Sequence, residues 1–263
     1  MTGLASRLRY YASSLVTLAA GVRNPLAVLL ALATGRKPFL LELANGLRFL
    51  VRGPLDVWIV KETCLDGEYD AWAPAPGACS VVFDVGAGLG DFAVHAARRW
   101  PEARVFSFEP HPETFSLLER NLALDGVTQV VAVRAALTGA GTAEAVLREG
   151  HSASERSTAT GSGPGIAVPS TTLGRAFETH RIERCGFLKI DIEGAEFDVL
   201  LSADEATLGR VEALCLEWHE GPGRTIEALA SHLSACGFAV RLRRSPVHAH
   251  LGLLDARRAA ELP

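Results

Sequence analysis

Residues 82–92 read VFDVGAGLGDF: an apolar run, an aspartate, three glycines at alternate positions and a second aspartate. An apolar run that breaks into glycines is the pattern of a buried strand turning into a helix, and such turns hold either a dinucleotide or an adenosine-bearing cofactor. The dinucleotide fingerprint G-x-G-x-x-G, counted from Gly86, requires glycine at position 91, where this chain has Asp91. Asp84 at the strand end and Asp91 at the helix start would also both oppose an anionic pyrophosphate at the helix N-terminus. A cofactor presenting a sulfonium and an ammonium suits two carboxylates instead. S-adenosylmethionine is such a cofactor, and Gly86, Gly88 and Gly90 permit its close approach to the backbone. Asp84 is then expected to organise the glycine turn or to meet the methionine end. The following strand, RVFSFEP, ends at Glu109, 19 positions after Gly90, about where an acid reaches a ribose diol in nucleotide-binding sheets.

Around this turn, short apolar runs alternate with helical stretches, the signature of β-α-β units. Strands are predicted at 80–85, 104–108, 130–135, 187–192, 213–218 and 238–242, and helices near 91–99, 112–125, 195–201 and 225–236. Pro112 sits in a first helical turn, and Gly126 and Gly237 stand where helices stop. A doubly wound α/β sheet is the expected fold. Residues 148–165, REGHSASERSTATGSGPG, carry no hydrophobic period and are expected to form an irregular loop or lid. His151 within them is a weaker candidate base.

The 263 residues, 48% hydrophobic, suffice for one substantial core. A net charge of −4 argues against a general nucleic-acid binder. Cys64, Cys79, Cys185, Cys215 and Cys236 are scattered and odd in number, which predicts reduced thiols and a cytoplasmic setting, with Cys185 and Cys215 as small core residues. The first 53 residues hold Arg7, Arg9, Arg23, Arg36, Lys37, Arg48 and Arg52 against Glu42, a formal +6 that leaves −10 for the remainder. A division into a basic, apolar helical extension (1–53) and a cofactor-binding domain (54–263) is expected. The apolar stretch NPLAVLLALATG, from Asn24, is well short of the roughly 20 residues that span a bilayer, and no signal peptide is recognised. A helix capping the sheet is the first reading of this segment, a basic amphipathic helix on a membrane or partner the second, and a transit peptide the third.

On the predicted strand 187–192, alternation puts Lys189 and Asp191 on one face, with Asp191 at the carboxyl end where sites of open α/β sheets are built. Lys189, buried in a strand, must meet a carboxylate. Glu193 and Glu196 follow in the turn and first helical turn, where one of them is expected to cap the helix. The next strand ends CLEWHE, bringing Glu217, His219 and Glu220 to the same edge. Asp191, Glu217 and His219 are candidate ligands for one divalent ion. His219 is equally a candidate general base, because an unperturbed imidazole titrates near neutrality.

Five stretches together resemble the FkbM family of S-adenosylmethionine-dependent methyltransferases: DVWIVKETCLDGEYD (56–70), VFDVGAGLGDF (82–92), FSFEPHPETFSLLERNLALDG (106–126), FLKIDIEGAEFDVL (187–200) and LCLEWH (214–219). Residues 143–168 depart from that pattern. The resemblance implies a seven-stranded Rossmann-like methyltransferase sheet with an antiparallel C-terminal hairpin, for which residues 243–246 are the expected turn. It also implies O-methylation of a hydroxyl on a sugar, glycan or secondary metabolite. Asp84, Gly86, Gly88, Gly90, Glu109 and Ala136 make up the expected cofactor set, and Asp191 and His219 the expected catalytic pair. A reductase using NAD(P) and a non-catalytic scaffold peripheral to a membrane are the alternatives.

Overall fold

Two helices lead the chain in the computed structural model, which describes residues 4–139, 141, 143–149, 156–160, 165–221, 223–248 and 250–259. They are α1 (Leu4–Gly21) and α2 (Pro25–Thr34). Pro25 starts α2 where a missing N–H costs nothing, and Gly35, at φ +69°, closes it. The segment is not wholly helical: β1 (Phe39–Glu42) and β2 (Arg48–Val51) form an antiparallel hairpin before α3 (Pro54–Cys64).

The main layer begins with β3 (Val81–Val85), α4 (Asp91–Arg99), β4 (Arg104–Phe108), α5 (Pro112–Leu124) and β5 (Val130–Val133). Four strands follow: β6 (Ala136–Leu137), β7 (Glu144–Glu149), β8 (Arg156–Thr160) and β9 (Ile166–Thr171). The second half runs through α6 (Leu173–Thr179), β10 (Cys185–Ile190), α7 (Glu196–Ser202), α8 (Glu205–Leu208), β11 (Val211–His219), α9 (Ile226–Ala235), β12 (Phe238–Arg244) and β13 (Leu251–Arg258). The seven-stranded sheet has the order β5-β4-β3-β10-β11-β13-β12. Its first five strands are parallel, and β13 lies antiparallel between β11 and β12. Strand order reverses between β3 and β10, so the crevice beyond their carboxyl ends is the switch point where ligands of open sheets bind.

Two expectations about local structure need correction. The irregular segment 148–165 contributes Arg148 and Glu149 to β7 and residues 156–160 to β8, in a four-stranded sheet of order β6-β9-β7-β8. Ala136, Ala145, Leu147 and Val168 give that sheet a small core of its own. His151 lies outside the described residues. The C-terminal turn also starts later than 243, because Arg243 and Arg244 still pair in register with Leu253 and Gly252.

Helices cover both faces of the main sheet. Leu188 and Ile190 of β10 join Phe177, Phe197, Leu229 and Trp218 in one apolar cluster, while Phe187 faces Phe92 and Trp100 on the other side. Cys185 and Cys215 are buried free thiols in these layers, as their apolar setting predicts.

Candidate active site

The turn from β3 into α4 places Gly86, Gly88 and Gly90 at φ +79°, +54° and +91°, the left-handed region that side chains other than glycine enter at a cost. Gly86 is also sterically fixed: a Cβ there would lie 1.8 Å from the carbonyl oxygen of Asp191. Its N–H and that of Ala87 donate to the Phe108 carbonyl at 3.0 and 2.9 Å. Glu109 accepts from the Gly88 N–H at 2.9 Å and from the His111 N–H at 2.8 Å. Burial pushes its carboxyl up to about 7, against the pull of those two N–H groups.

The two aspartates that flank the glycines face different ways. Asp84 is fully buried beneath the turn, with Ser107 Oγ donating to it at 3.2 Å and Lys189 Nζ 3.3 Å away. Lys189 in turn donates to the Gly86 carbonyl at 2.7 Å. Burial alone would lower the Lys189 ammonium, but Asp84, Asp191 and Asp91 outweigh it and hold the group charged. The carboxylate partner that a buried lysine requires is therefore Asp84, its neighbour in the β3–β10 register. Asp91 accepts from Thr63 Oγ1 of α3 at 2.6 Å, and burial raises it to about 6. Ala136 is buried in β6, against the small core of the four-stranded sheet.

Asp191 continues the parallel ladder past β10, its N–H donating to the Val85 carbonyl at 2.9 Å. Its carboxylate accepts from the Tyr69 hydroxyl at 3.3 Å. Among the described residues, Asp191, Glu217 and His219 form the one His/Cys/Asp/Glu group with metal-ligand spacing, their ligand atoms all within 4.8 Å of one another. Burial, followed by the charge of Asp191, raises the Glu217 carboxyl well above its usual range.

His219 is clamped. Its backbone N–H donates to Glu196 Oε1 at 2.7 Å, its Nδ1 lies 2.9 Å from the same oxygen, and its Nε2 lies 3.2 Å from Glu193 Oε2. Glu196 is fully buried, and its other oxygen accepts from the Gly194 N–H at 2.7 Å. Burial would lower the imidazole, but Glu196, with Asp191 and Glu193, holds it up at about 10. The sequence reading had one of these glutamates capping a helix. It missed their grip on His219, which depends on a left-handed turn at Glu193, φ +54°, and Gly194, φ +97°. Tyr69 was also missed, although it stands in one of the quoted motifs.

Glu217 also borders a cavity of about 420 Å³ that Tyr10, Tyr11, Trp58, Glu62 and Glu68 help to line. Trp58 Nε1 donates to Glu62 at 2.8 Å, and the Tyr10 hydroxyl bonds to the same carboxylate. Helices α1 and α3 thus wall a space that reaches the carboxyl edge of the sheet.

Residues 84–240 match the family model of the methyltransferase FkbM domain, well over half of the chain. The chain belongs to the FkbM methyltransferase family. Among curated relatives, methyltransferase sdnD of Sordaria araneosa is 30% identical over 75% of this chain and 89% of its own. The hexuronic acid methyltransferase AglP of Haloferax volcanii is 26% identical over 73% of this chain and 80% of its own. The 31-O-demethyl-FK506 methyltransferase FkbM of Streptomyces tacrolimicus is 27% identical over 68% and 81%. In this FkbM-family chain the matched span takes in the glycine turn, Glu109, Asp191 and the clamped His219.

Proposed function

We propose that this methyltransferase uses S-adenosylmethionine to methylate a hydroxyl of a sugar, glycan or secondary metabolite. The observation that carries the proposal is the contact between the glycine turn and Asp191: the backbone that approaches the cofactor and the carboxylate that would meet the acceptor share one wall at the switch point. In this reading Gly86, Gly88 and Gly90 admit the cofactor and Glu109 accepts from its ribose hydroxyls, while Ala136, expected in the cofactor set, is buried in the small core of the four-stranded sheet. Asp84 acts through Lys189, which holds the Gly86 carbonyl. The names of the AglP and FkbM relatives, one acting on a hexuronic acid and the other adding a methyl at an oxygen, favour an oxygen acceptor. The cavity beside Glu217, with aromatic and carboxyl groups in its wall, suits a polyhydroxylated ring.

The transfer is an in-line displacement. With S-adenosylmethionine bound, the acceptor oxygen would take the methyl carbon, the carbon–sulfur electron pair would stay on sulfur as a neutral thioether, and the hydroxyl proton would leave to a base of this chain. Asp191 is the proposed proton acceptor, oriented by Tyr69. His219 suits that role less well, since an imidazole held up at about 10 is already protonated at neutral pH. A second reading rests on the 4.8 Å grouping of Asp191, Glu217 and His219. Two carboxylates and an imidazole suit a divalent ion; Glu196 holds Nδ1, and Nε2 would have to lose its proton and exchange Glu193 for the metal. The ion would lower the acceptor hydroxyl's pKa.

Asp191→Asn preserves shape and removes one charge. It is expected to bind S-adenosylmethionine normally by calorimetry while losing at least about a hundredfold in methyl transfer from labelled cofactor to a glycan or metabolite extract. Normal turnover in this variant would overturn the assignment. Sensitivity to EDTA, reversed by a divalent ion, selects the metal reading.

A further inference from the structure

α1 meets the body of the protein along one stripe only. Its inward positions are Tyr10, which bonds Glu62, Ser14, whose hydroxyl accepts from Lys61 Nζ at 2.7 Å, and Gly21, against Leu65. These recur at helical spacing, and of the 18 residues in α1 Ser14 and Gly21 are the buried ones. Away from that stripe the helix is apolar: Leu4, Leu8, Leu15 and Val16 are exposed, Leu4 to 75%. α2 repeats the arrangement, turning Val28 and Ala31 inward and leaving Leu26, Leu29 and Leu30 exposed, Leu26 to 82%. So much unpartnered leucine on two successive helices is far more than scattered surface apolar residues explain.

Charge identifies what covers it. No acid occurs before Glu42, whereas Arg7, Arg9, Arg23, Arg36 and Lys37 do. At 3.6 residues per turn Arg7 and Arg9 fall on either flank of the α1 apolar stripe, and Arg36 and Lys37 follow the end of α2. An apolar strip edged by cations is the pattern of a helix lying in a bilayer interface, its leucines among the acyl chains and its arginines at anionic headgroups. Crossing is not involved, since among the described residues no helix is long and apolar enough to span a membrane.

We propose that α1 and α2 dock the protein on an anionic membrane surface, with these exposed leucines inserted. Tyr10 and Tyr11 of α1 also line the cavity beside Glu217. Docking therefore brings that cavity to within about one helix diameter, roughly 10 Å, of the headgroups. The proposal stands independently of methyl transfer and is read without an acceptor.

The test is co-sedimentation of the full chain with phosphatidylcholine vesicles, with and without phosphatidylserine. Binding is expected only with phosphatidylserine, and is expected to weaken as salt screens the headgroups. Neutralising Arg9 and Arg36 together (Arg9→Gln, Arg36→Gln) should weaken partition about twenty-five-fold, at about fivefold per basic residue. Leu8→Ser with Leu26→Ser and Leu30→Ser should reduce it to background. All five positions are exposed, so unchanged thermal melts are expected and confirm folding. Absence of sedimentation, equal sedimentation with neutral vesicles, or indifference to both sets of substitutions would overturn the proposal. So would a wild-type dimer in sedimentation equilibrium that the leucine substitutions dissociate, because a second copy would then cover the face.

Discussion

A methyl group at Gly86 has no space to occupy. The neighbouring atom is the backbone oxygen of Asp191, 1.8 Å from where a Cβ would sit, so relief requires the end of β10 to move. Gly77 has nearly the same φ, +76° against +79°, with nothing near its Cβ position. The pair separates two effects. Gly77→Ala should cost roughly 1 to 3 kcal/mol from the left-handed backbone alone, leaving calorimetric affinity for S-adenosylmethionine unchanged. Gly86→Ala should lose at least about a hundredfold in affinity in addition, because the shared wall of the site is displaced. Equal effects on stability and binding in the two variants would refute the contact argument. At this scale the sequence was readable wherever burial or alternation decides. A lysine in a buried strand demanded a carboxylate, and alternation along two neighbouring strands brought Asp191 to Glu217 and His219. The clamp on His219 was not readable, because it depends on a left-handed residue at Glu193, a position where nothing in the side chain requires one.

Among the elements, the C-terminal hairpin is held by a single buried acid. Asp255 of β13 is fully buried and accepts from Arg241 Nη2 at 2.9 Å, and from Arg243 Nε and Nη2 at 2.7 and 2.9 Å. Burial alone would raise its carboxyl, but hydrogen bonds from Arg243 and Arg241 outweigh that and hold it below the ordinary value. A carboxyl whose pKa is depressed on folding stabilises the fold above its unfolded pKa, about 3.9, and that contribution is lost as pH falls through the folded value. Asp255→Asn should therefore destabilise by about 2 kcal/mol at pH 7, less than for a fully enclosed pair because both arginines keep contact with water. In thermal melts the gap between wild type and variant should narrow steadily below about pH 4; a constant gap would show that Asp255 acts by packing. The first strand of the hairpin was legible from its apolar run, whereas the second, and the antiparallel pairing, came only from the family resemblance. The three strands β7, β8 and β9 were not legible: Ser, Thr and Gly dominate β8 and its surroundings, and pairing with β7 at the edge of the sheet, not a hydrophobic period, makes that segment a strand. The β1–β2 hairpin was missed for a different reason, its four-residue strands being too short to show a period beside two apolar helices.

The molecule as a whole does not divide where its composition changes. The charge shift near residue 53 suggests an appended extension, yet Leu41, Phe49 and Val51 of the β1–β2 hairpin are fully buried in one cluster with Leu89, Ala93 and Leu118 of the cofactor half. Asn121 of α5 fastens the two: its Oδ1 accepts from the Leu50 N–H at 2.7 Å, and its Nδ2 donates to the carbonyls of Leu50 at 3.2 Å and Leu89 at 2.8 Å. Because Leu89 lies inside the glycine turn, the hairpin supports the proposed cofactor site directly. A chain starting at residue 54 would lose the burial of those three hairpin side chains, at roughly 1.5 to 3 kcal/mol each, and would leave Asn121 buried without its partners on β2. That loss is comparable with the whole stability of an ordinary domain, about 5 to 15 kcal/mol. The shortened chain is therefore expected to be insoluble or to melt without cooperativity, with no calorimetric response to S-adenosylmethionine. A chain starting at residue 22 keeps the hairpin and gives up α1, which is tied to the body through Tyr10, Ser14 and Gly21. It should fold and bind the cofactor with near-normal affinity, since Lys61, deprived of Ser14, retains Asp66 at 2.6 Å. A cooperative melt with undiminished cofactor binding in the chain starting at 54 would show that the hairpin is an appendage and that the glycine turn holds its shape without Asn121 reaching across to β2.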